Sequence, residues 1–484
     1  MKLADDQISA VVERVVKRLA KEETPVRKAM TQERVRTVVD RQEAGVYETI
    51  DEAVEAATEA FHALDKLPLK KRGELIEAMR KRAMEYVVET AEMAVTETGL
   101  GRSDHKIIKN RLAIEKTPGI EILKPEAVTG DNGLTITERA PYGVIGSITP
   151  CTNPTATVIS NAIGMIAGGN SVVINGHPTA KETTIFNVCE LNKAIVSAGG
   201  PPNLLTTVKE PTIASANALM KHPGIALLVV TGGPAVVNVA MGSGKKVIAA
   251  GPGNPPAVVD ETADIPMAAK HIIDGASFDN NIVCIVEKEI IAVEKIADEL
   301  IRELKKNGAY LLSPHQTRRL EKIVIDRKPE APGDHGIVNK KWVGKDASLI
   351  LKEIDVNAES DIRLIIADVP KSHPFVQMEL LMPVLGFVRV KDVNVAIETA
   401  KEVEHGFRHT AVMHSRNIDN LSKMARVINT SIFVKNGPST AGLGFHGEGH
   451  ASFTIASPTG EGLTTARHFT RERRCTLKDS FRII

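Results

Sequence analysis

Two apolar patterns follow one another along the chain. Between residues 49 and 101, apolar side chains recur at helical spacing, and this pattern predicts three helices. From Val144 onward, short unbroken apolar runs such as 144–148 and 171–174 alternate with helical segments, and a second series of such units begins near Lys246. Strands without a polar face, separated by helices, predict parallel sheets that are covered on both sides. The predicted fold class is therefore α/β.

The first twenty residues form a separate pattern. Apolar residues from Ile8 to Leu19 recur at helical spacing, which predicts an amphipathic helix over 1–20, and the polar residues 21–45 predict a linker. Two interpretations stay open: the helix packs on its own domain, or it docks in a partner's groove at the end of a tether. A membrane-surface helix is disfavoured because the stripe lacks large aromatics and the polar face is not strongly basic.

Length and charge restrict the classes of function. The chain has 484 residues, so two or three domains are expected. A net charge of +1 and 3% aromatic residues give no reason to expect nucleic acid or an anionic membrane as a partner. No apolar run reaches the length of a membrane span and no secretory signal is present, so we expect a cytoplasmic protein.

The cysteines argue against a metal or a disulfide framework. The four cysteines are Cys151, Cys189, Cys284 and Cys475. They are far apart and form no CxxC pair, which disfavours a zinc site and fits a reducing cytosol. The glycine-rich spacing of His446 and His450, with no obvious third ligand, favours a flexible loop over a metal site.

Cys284 ends a run of small, amide and β-branched residues that begins at Ser277. A thiolate is a strong nucleophile whose reactivity depends on its surroundings. Asn280 and Asn281 can supply amide donors, and Gly275 permits a tight approach of the backbone. A lone cysteine in an intracellular chain usually packs as a small hydrophobe. The interpretation of Cys284 therefore depends on motifs elsewhere in the chain.

A glycine pair stands between a predicted strand and a predicted helix. The run Thr231-Gly232-Gly233-Pro234 follows the apolar strand that ends at Val230. Backbone N–H groups at such a turn can approach a pyrophosphate at the helix N-terminus. The run is not a GxGxxG fingerprint, and an ordinary tight turn is the alternative.

Six motifs occur in an order that is specific as a set. They are Ala-Pro-Tyr-Gly-Val-Ile-Gly at 140–146, Thr-Pro-Cys-Thr-Asn-Pro at 149–154, Ala-Gly-Pro-Gly-Asn-Pro-Pro at 250–256, Phe-Asp-Asn-Asn-Ile-Val-Cys at 278–284, Met-Glu-Leu-Leu-Met-Pro at 378–383 and Pro-Thr-Gly-Glu-Gly at 458–462. With these motifs the chain, from about Glu48 onward, resembles the aldehyde dehydrogenase superfamily. More narrowly, it is similar to the CoA-acylating acetaldehyde and propionaldehyde dehydrogenases of bacterial microcompartments.

The resemblance implies a domain organisation. A Rossmann-type cofactor-binding domain spans 46–250 with a return at 436–457, and a catalytic domain spans 251–435. The half-exposed strand predicted at 134–139 by its alternating pattern falls in the oligomerisation arm, 128–140 with 458–484, which implies a homodimer or homotetramer. The N-terminal helix then becomes an encapsulation segment that binds microcompartment shell proteins.

The resemblance also implies a reaction. Cys284 attacks a short-chain aldehyde, the Asn153 amide and the Cys284 N–H stabilise the oxyanion, and hydride passes to NAD, which leaves a thioester. Asn153 could instead cap a helix, and Cys151 is the competing nucleophile. Hydrolytic relatives activate water with a Glu where this chain has Ala250 or Gly251. The missing base favours acyl transfer to coenzyme A, with NADH leaving before CoA enters.

Two other hypotheses stay open at this stage. One is a hydrolytic aldehyde dehydrogenase that takes its base from elsewhere and produces the free acid. The other is a catalytically silent, shell-associated scaffold, against which the complete set of Cys284, Asn153 and Glu379 argues.

The cofactor-binding residues follow from the same motifs. They are Thr149, Pro150, Asn175, His177, Pro178, Thr231, Gly232, Gly233, Gly251 and Glu379. Glu379 matches the glutamate that orients the nicotinamide ribose, although a surface carboxylate is the alternative. Asn175 stands where many relatives have a lysine that holds the adenosine ribose, so the choice between NAD and NADP stays open. The aldehyde chain length and the compartment pathway stay open as well.

Overall fold

The computed structural model describes residues 45–330, 334–358 and 361–484. The predicted amphipathic helix at 1–20 and nearly all of the predicted linker at 21–45 lie outside these residues. Within the described part of the chain, no helix has the length and apolar character needed to cross a membrane.

Helices dominate the start of the described chain. They are α1 (Ile50–Asp65), α2 (Leu69–Glu85), α3 (Val87–Thr98) and α4 (Ser103–Lys116). Thr49 and Glu52 form a capping box, in which the Glu52 N–H donates to Thr49 Oγ1 at 3.2 Å. Gly99 ends α3 in the left-handed conformation with φ 67°. The three predicted helices are confirmed, and α4 is an additional helix that the sequence did not indicate.

The first large sheet is parallel throughout. Its strands are β1 (Val46–Tyr47), β4 (Val144–Ile148), β5 (Ser171–Asn175), β6 (Leu205–Val208), β7 (Leu227–Thr231) and β8 (Lys246–Ala250), in the order β1-β6-β5-β4-β7-β8. The connecting helices are α5 (Pro154–Ala167), α6 (Lys181–Ser197), α7 (Ile213–Lys221) and α8 (Pro234–Met241). The series expected to start a second unit near Lys246 begins one strand later, because β8 pairs with β7 and completes the first sheet.

A second parallel sheet has seven strands. They are β9 (Pro256–Val259), β10 (Glu289–Val293), β11 (Ala309–Leu311), β14 (Leu364–Asp368), β15 (Val384–Val390), β16 (Thr410–His414) and β17 (Ile432–Lys435), in the order β11-β14-β15-β10-β9-β16-β17. Its helices are α9 (Ile265–Ala276), α10 (Glu294–Lys306), α11 (Pro314–Val324), α12 (Ala347–Lys352), α13 (Pro374–Gln377), α14 (Val393–Val403) and α15 (Ile418–Ile428). The central strands are fully buried, which explains their unbroken apolar runs.

A three-stranded antiparallel sheet stands apart from the two parallel ones. It consists of β2 (Glu126–Gly130), β3 (Gly133–Pro141) and β20 (Thr470–Lys478). The predicted half-exposed strand at 134–139 is confirmed within β3. Two small antiparallel pairs complete the fold: β12 (Ile325–Arg327) with β13 (Ile337–Val338), and β18 (Ile455–Ala456) with β19 (Gly462–Leu463). The domain boundaries and the oligomeric role of this arm stay predictions.

Candidate active site

A tight loop carries Cys284 from α9 to β10. Asp279, Asn280 and Asn281 are consecutive left-handed residues, with φ values of 49°, 53° and 66°. Asp and Asn are the non-glycine residues that tolerate this conformation best. The Asn280 amide donates to the carbonyl of Gly344 at 3.0 Å, and the Asn281 amide donates to two backbone carbonyls at 2.7 and 2.9 Å. Both amides are therefore donors, as predicted, and the backbone carbonyls that accept from them fix the shape of the loop.

Gly275 makes the close packing behind this loop possible. A Cβ at this position would lie 2.1 Å from Glu287 Oε2, so no other residue fits without movement of a buried carboxylate. That carboxylate accepts from the Ser439 N–H at 2.8 Å and from the Ser439 hydroxyl at 2.7 Å. Burial raises the pKa of Glu287 to about 7. The predicted tight approach at Gly275 is confirmed.

Opposing charges surround the Cys284 thiol. Part of the residue reaches solvent, but protein surrounds the sulfur, and this burial raises the pKa of the thiol to about 12. The carboxylate of Glu379 raises it further, whereas the ammonium groups of Lys288 and Lys109 act in the opposite direction. The isolated thiol is therefore protonated at neutral pH, and a further positive charge would favour its reactive form.

Lys288 lies beneath the peptide that precedes Cys284. Its Nζ donates to Asn281 O at 2.7 Å, to Asn281 Oδ1 at 2.8 Å and to Val283 O at 3.3 Å. The Val283 carbonyl and the Cys284 N–H belong to one peptide group, so the ammonium orients and polarises the group that carries this N–H. Sequence reasoning missed Lys288. The available signal was a lysine between two glutamates directly before a buried strand.

Asn153 precedes α5, yet its side chain does not cap that helix. Its Oδ1 accepts a hydrogen bond from Lys109 Nζ, and its Nδ2 donates to Thr152 Oγ1 at 3.2 Å. The alternative in which Asn153 is a helix cap is therefore wrong. Because Lys109 also acts electrostatically on Cys284, the amide and the thiol belong to one region of the structure.

A buried charge triad joins α4 to the cysteine loop. Asp279 accepts from Lys106 at 3.1 Å and from Lys109, and its other oxygen accepts from the Arg102 N–H at 2.7 Å. The side chains of both lysines are 3% exposed and that of Asp279 is 0% exposed. Burial lowers the pKa of Lys109 to about 7. Burial opposes ionisation of Asp279, but the two ammonium groups hold its pKa below the usual value. Sequence reasoning missed this triad.

Glu379 and the 250–256 motif meet beside the cysteine loop. Burial raises the pKa of Glu379 to about 7, an effect that Lys288 and the nearby backbone of Gly253 partly offset. A Cβ at Gly253 would lie 2.9 Å from both the Cys284 carbonyl oxygen and the His409 ring. The sequence motifs that contain Cys284, Gly253 and Glu379 are thus brought together. The alternative of a surface carboxylate is wrong for Glu379.

His409 is a further group that the sequence did not single out. The residue is fully buried, and its Nε2 has no hydrogen-bond partner among the described residues. Burial lowers the pKa of His409 to about 4, and the charge of Lys288 lowers it further, so the imidazole is neutral at pH 7. The site therefore contains a neutral imidazole next to the backbone of the cysteine loop.

The other predicted cofactor residues follow the strands of the first sheet. Thr149 and Pro150 come after β4, Asn175 ends β5, and His177 and Pro178 come soon after it. The Thr149 N–H donates to Asn175 O at 3.2 Å, while the Asn175 side chain accepts from Ser215 at 2.6 Å. Carboxyl ends of parallel strands are where dinucleotides bind. The buried Thr149 hydroxyl has no partner among the described residues, so it is available to a ligand.

The glycine turn lies at the same edge of the sheet. Thr231 ends β7, and its hydroxyl lies 2.9 Å from that of Thr454. The Gly232 N–H donates to Ala250 O at 3.2 Å, and Gly233 directly precedes α8. A Cβ at Gly233 would meet nothing within 4 Å, so a ligand has room to approach this helix N-terminus. At Gly251 a Cβ would lie 2.9 Å from Pro458. These residues fit a dinucleotide.

Burial of Cys151, the competing nucleophile, raises the pKa of its thiol above the usual value, and Thr179 partly offsets this effect. The assignment of Cys284 as the nucleophile stays a prediction. Among residues 45–330, 334–358 and 361–484, no group of three His, Cys, Asp or Glu side chains is arranged to hold a metal ion.

An apolar pocket adjoins the cysteine loop. Its lining residues are Ile108, Lys109, Leu112, Phe278, Val283, Ile285, Thr440, Leu443, Phe445 and Phe453. The pocket includes both Lys109, which binds Asn153, and Val283, which precedes Cys284. Apart from Lys109 and Thr440, its walls are aliphatic and aromatic, so they suit a short hydrocarbon group.

Comparisons with known proteins agree with one another. A sequence profile of the aldehyde dehydrogenase family matches residues 17–321. The acetaldehyde dehydrogenase (acetylating) EutE of Salmonella typhimurium is 51% identical over 443 residues, covering 91% of this chain and 94% of that protein. The crystal structure of Rhodopseudomonas palustris propionaldehyde dehydrogenase with bound CoA and an acylated cysteine has a TM-score of 0.88 at 49% identity, covering 91% of this chain and 100% of that chain. A propionaldehyde dehydrogenase from the fucose utilisation bacterial microcompartment of Clostridium phytofermentans has a TM-score of 0.88 at 48% identity, with coverages of 91% and 100%.

Proposed function

The chain belongs to the aldehyde dehydrogenase family, and from this premise we propose how its site oxidises an aldehyde to an acyl-CoA. The activity is that of a CoA-acylating acetaldehyde or propionaldehyde dehydrogenase. The observation that carries the residue assignment is the joining of Cys284, Asn153 and Glu379 through Lys109 and Lys288 into one charged, buried region.

The first half of the proposed reaction forms a thioester. The Cys284 thiolate adds to the aldehyde carbon, and the carbonyl oxygen becomes an oxyanion that accepts from Asn153 Nδ2 and from the Cys284 N–H. Lys288 holds the peptide that contains this N–H. When bound, NAD⁺ would supply the acceptor for the hydride that leaves the same carbon. Thr149, Asn175 and Gly233, at or just after the ends of β4, β5 and β7, are the residues that would hold the nucleotide.

The second half transfers the acyl group to a thiol. A general base for water is absent at Ala250 and Gly251, and such a base is typically worth about 10²–10⁴-fold in rate. The CoA thiol is partly ionised near neutral pH and needs less activation. Its sulfur attacks the thioester carbon, the bond from that carbon to Cys284 breaks, and the Cys284 sulfur leaves as the thiolate. The products are acyl-CoA, NADH, a proton released to solvent and the free enzyme.

Substrate length follows from the pocket beside the cysteine loop. Three phenylalanines, Phe278, Phe445 and Phe453, close it, and its remaining space is small. A short aliphatic chain of two or three carbons has only a methyl or ethyl group to bury there, which needs less movement of the walls than a longer chain. Longer chains would need these rings to move.

The oxidant, the cellular location and the oligomeric state are proposed with the relatives as a guide. We propose NAD⁺ as the oxidant, because the site contains Glu379 and the glycine turn and its residue at the adenosine position is the neutral Asn175. We also propose that the protein works inside a bacterial microcompartment, that residues 1–20 bind its shell, and that the arm of β2, β3 and β20 joins subunits into a homodimer or homotetramer. The exposed side chains of Val128 and Leu477 on this arm support the last proposal.

The decisive experiment is NADH formation from propionaldehyde and NAD⁺ with and without CoA, with the products identified. We expect strong dependence on CoA and propionyl-CoA as product. The Cys284→Ala variant is the inactive control, because it should fold normally and show no turnover. Propionate formed without CoA would support the hydrolytic alternative, in which the base that activates water comes from elsewhere in the chain. Turnover by the Cys284→Ala variant would refute the assignment of Cys284 as the nucleophile.

A further inference from the structure

Lys109 is the only described donor to the carbonyl oxygen of the Asn153 amide in this structure. We propose that Lys109 is a positioning residue for the oxyanion: its ammonium group holds Asn153 Oδ1, and the amide nitrogen is thereby presented to the substrate oxygen. This inference rests on the proposed function, because it assigns a task to the donor named there.

The chemistry of a carboxamide makes this contact directional. One branch of the amide is a carbonyl oxygen, which accepts only, and the other is an NH₂ group, which donates only. An ammonium group donates only, so a rotation of the amide by half a turn would set donor against donor. Asn153 Nδ2 keeps one contact within the protein, at 3.2 Å to Thr152 Oγ1, which leaves its second N–H free. A positive charge on one side of Asn153 thus selects the orientation in which this N–H is available.

Lys109 is itself held in place by the loop that carries the nucleophile. Its Nζ contacts Asp279, which lies five residues before Cys284, and the Thr152 carbonyl at 3.4 Å. The loop, the lysine and the amide therefore form one hydrogen-bonded chain. A displacement of the cysteine loop would be transmitted to the oxyanion donor through this chain. Such positioning contributes to catalysis because a donor must already point at the place where charge develops.

Lys106 provides a matched control on the same helix. It stands one turn before Lys109 in α4, has the same 3% exposure, and pairs with the same oxygen of Asp279 at 3.1 Å. Its other contact is the carbonyl of Thr152 at 3.1 Å, and it makes no hydrogen bond to Asn153. Replacement of either lysine removes a charge and an anchor of the loop, whereas only replacement of Lys109 removes the contact that orients the Asn153 amide.

The test is a double-mutant cycle on full-length enzyme, measured as NADH formation. We expect Asn153→Ala to lower kcat by about 10²–10³-fold, the usual cost of one oxyanion donor. Lys109→Met should lower kcat by roughly 10–100-fold with little change in KM, and it should add less than about threefold in the Asn153→Ala background. Lys106→Met should cost less than about threefold.

Two further measurements separate positioning from damage to the fold. Alkylation of Cys284 by iodoacetamide forms no oxyanion, so its rate in Lys109→Met should fall by a much smaller factor than kcat does, because only the positive charge that favours the thiolate is lost. Lys109→Gln retains a neutral donor and should have an intermediate kcat, and it carries the test if the Met variant does not fold. The inference is overturned if Lys109→Met costs as much with Asn153 absent as with it present, or if Lys106→Met matches it.

The cycle also keeps this inference separate from the proposed function. Addition of the thiol to the aldehyde and attack of CoA or water on the thioester each form an oxyanion at the same carbon, so the cycle tests the donor whether the final product is an acyl-CoA or an acid. An acid product would overturn the proposed function and leave the role of Lys109 standing. An Asn153→Ala variant with unchanged kcat would overturn both the donor and its positioning residue.

Discussion

Replacement of Asp279 by Asn tests whether the buried charge triad stabilises the fold around Cys284. The substitution keeps the size of the side chain and its tolerance of a left-handed backbone, so φ 49° adds no new strain. It removes the only carboxylate that neutralises Lys106 and Lys109 in the triad. The variant then has two buried ammonium groups without a counter-charge.

The expected loss follows from the burial of the three groups. Breaking a buried ion pair by removing one partner costs about 3–5 kcal/mol. Unfolding of roughly 440 residues has an entropy of about 0.9 kcal/mol per kelvin at about 2.1 cal/mol/K per residue, so a loss of about 4 kcal/mol lowers Tm by about 4 °C. Asp104→Asn is the control, because its side chain is 54% exposed in its pair with Arg102 and exposed pairs contribute about 0–1 kcal/mol.

The loss of stability in Asp279→Asn should depend on pH. The pKa of Asp279 is depressed in the folded protein, so its stabilisation is present above the unfolded pKa and is lost as pH falls. The pKa of Lys109 is about 7 with Asp279 present, and it falls when that carboxylate is removed. Wild-type Lys109 therefore releases its proton as pH rises through about 7 and the variant releases it at a lower pH, so above pH 7 this lysine is neutral in both proteins and the lost ion pair is that of Lys106 alone. Differential scanning calorimetry at pH 6 and pH 8.5 should show the larger loss at pH 6. A shift equal to that of Asp104→Asn at both pH values would refute the triad.

Two other predictions use different measurements. Glu379→Gln removes a negative charge that raises the pKa of Cys284, so iodoacetamide should alkylate the variant faster than wild type at pH 8. The kcat of the variant should fall at least about tenfold, because the proposed contact with the nicotinamide ribose is lost. At pH 6, where Glu379 with its pKa of about 7 is mostly protonated, the two alkylation rates should agree, and equal rates at pH 8 would contradict the assignment. Deletion of residues 1–21 should leave kcat/KM nearly unchanged and release the enzyme from a compartment, whereas loss of activity would support a helix packed on its own domain.

Local sequence patterns predicted where the strands lie but not which sheet each strand joins. The runs at 144–148 and 171–174 are buried on both sides, so their composition alone predicts β4 and β5. Lys246 begins a strand in the first sheet, although the strand has the same apolar character as those of the second. Which sheet a strand joins depends on a neighbour far along the chain, and the sequence pattern does not contain that information.

The same distinction applies to the site. Cys284 and Glu379 were predicted because each stands in a contiguous motif, and the structure brings both motifs to the Gly253 backbone. Lys109 was missed because its partners are 44 and 170 residues away, and a lysine in a helix normally indicates a solvated face. The acceptors of the Asn280 and Asn281 amides were not predicted, because an amide looks the same in sequence whether it donates to a substrate or to a backbone carbonyl.

The charges around Cys284 suit a nucleophile that becomes reactive only when its substrates are in place. Burial and Glu379 hold the thiol in its protonated form, while Lys288 and Lys109 supply positive charge that is already engaged by hydrogen bonds. In the proposed reaction, the thiolate is favoured once the positive nicotinamide ring arrives, and that charge disappears with hydride transfer. The thioester then stands in a site where water has no assigned base and only a thiol nucleophile attacks readily. The same burial that suppresses the free thiolate therefore also protects the thioester until CoA arrives.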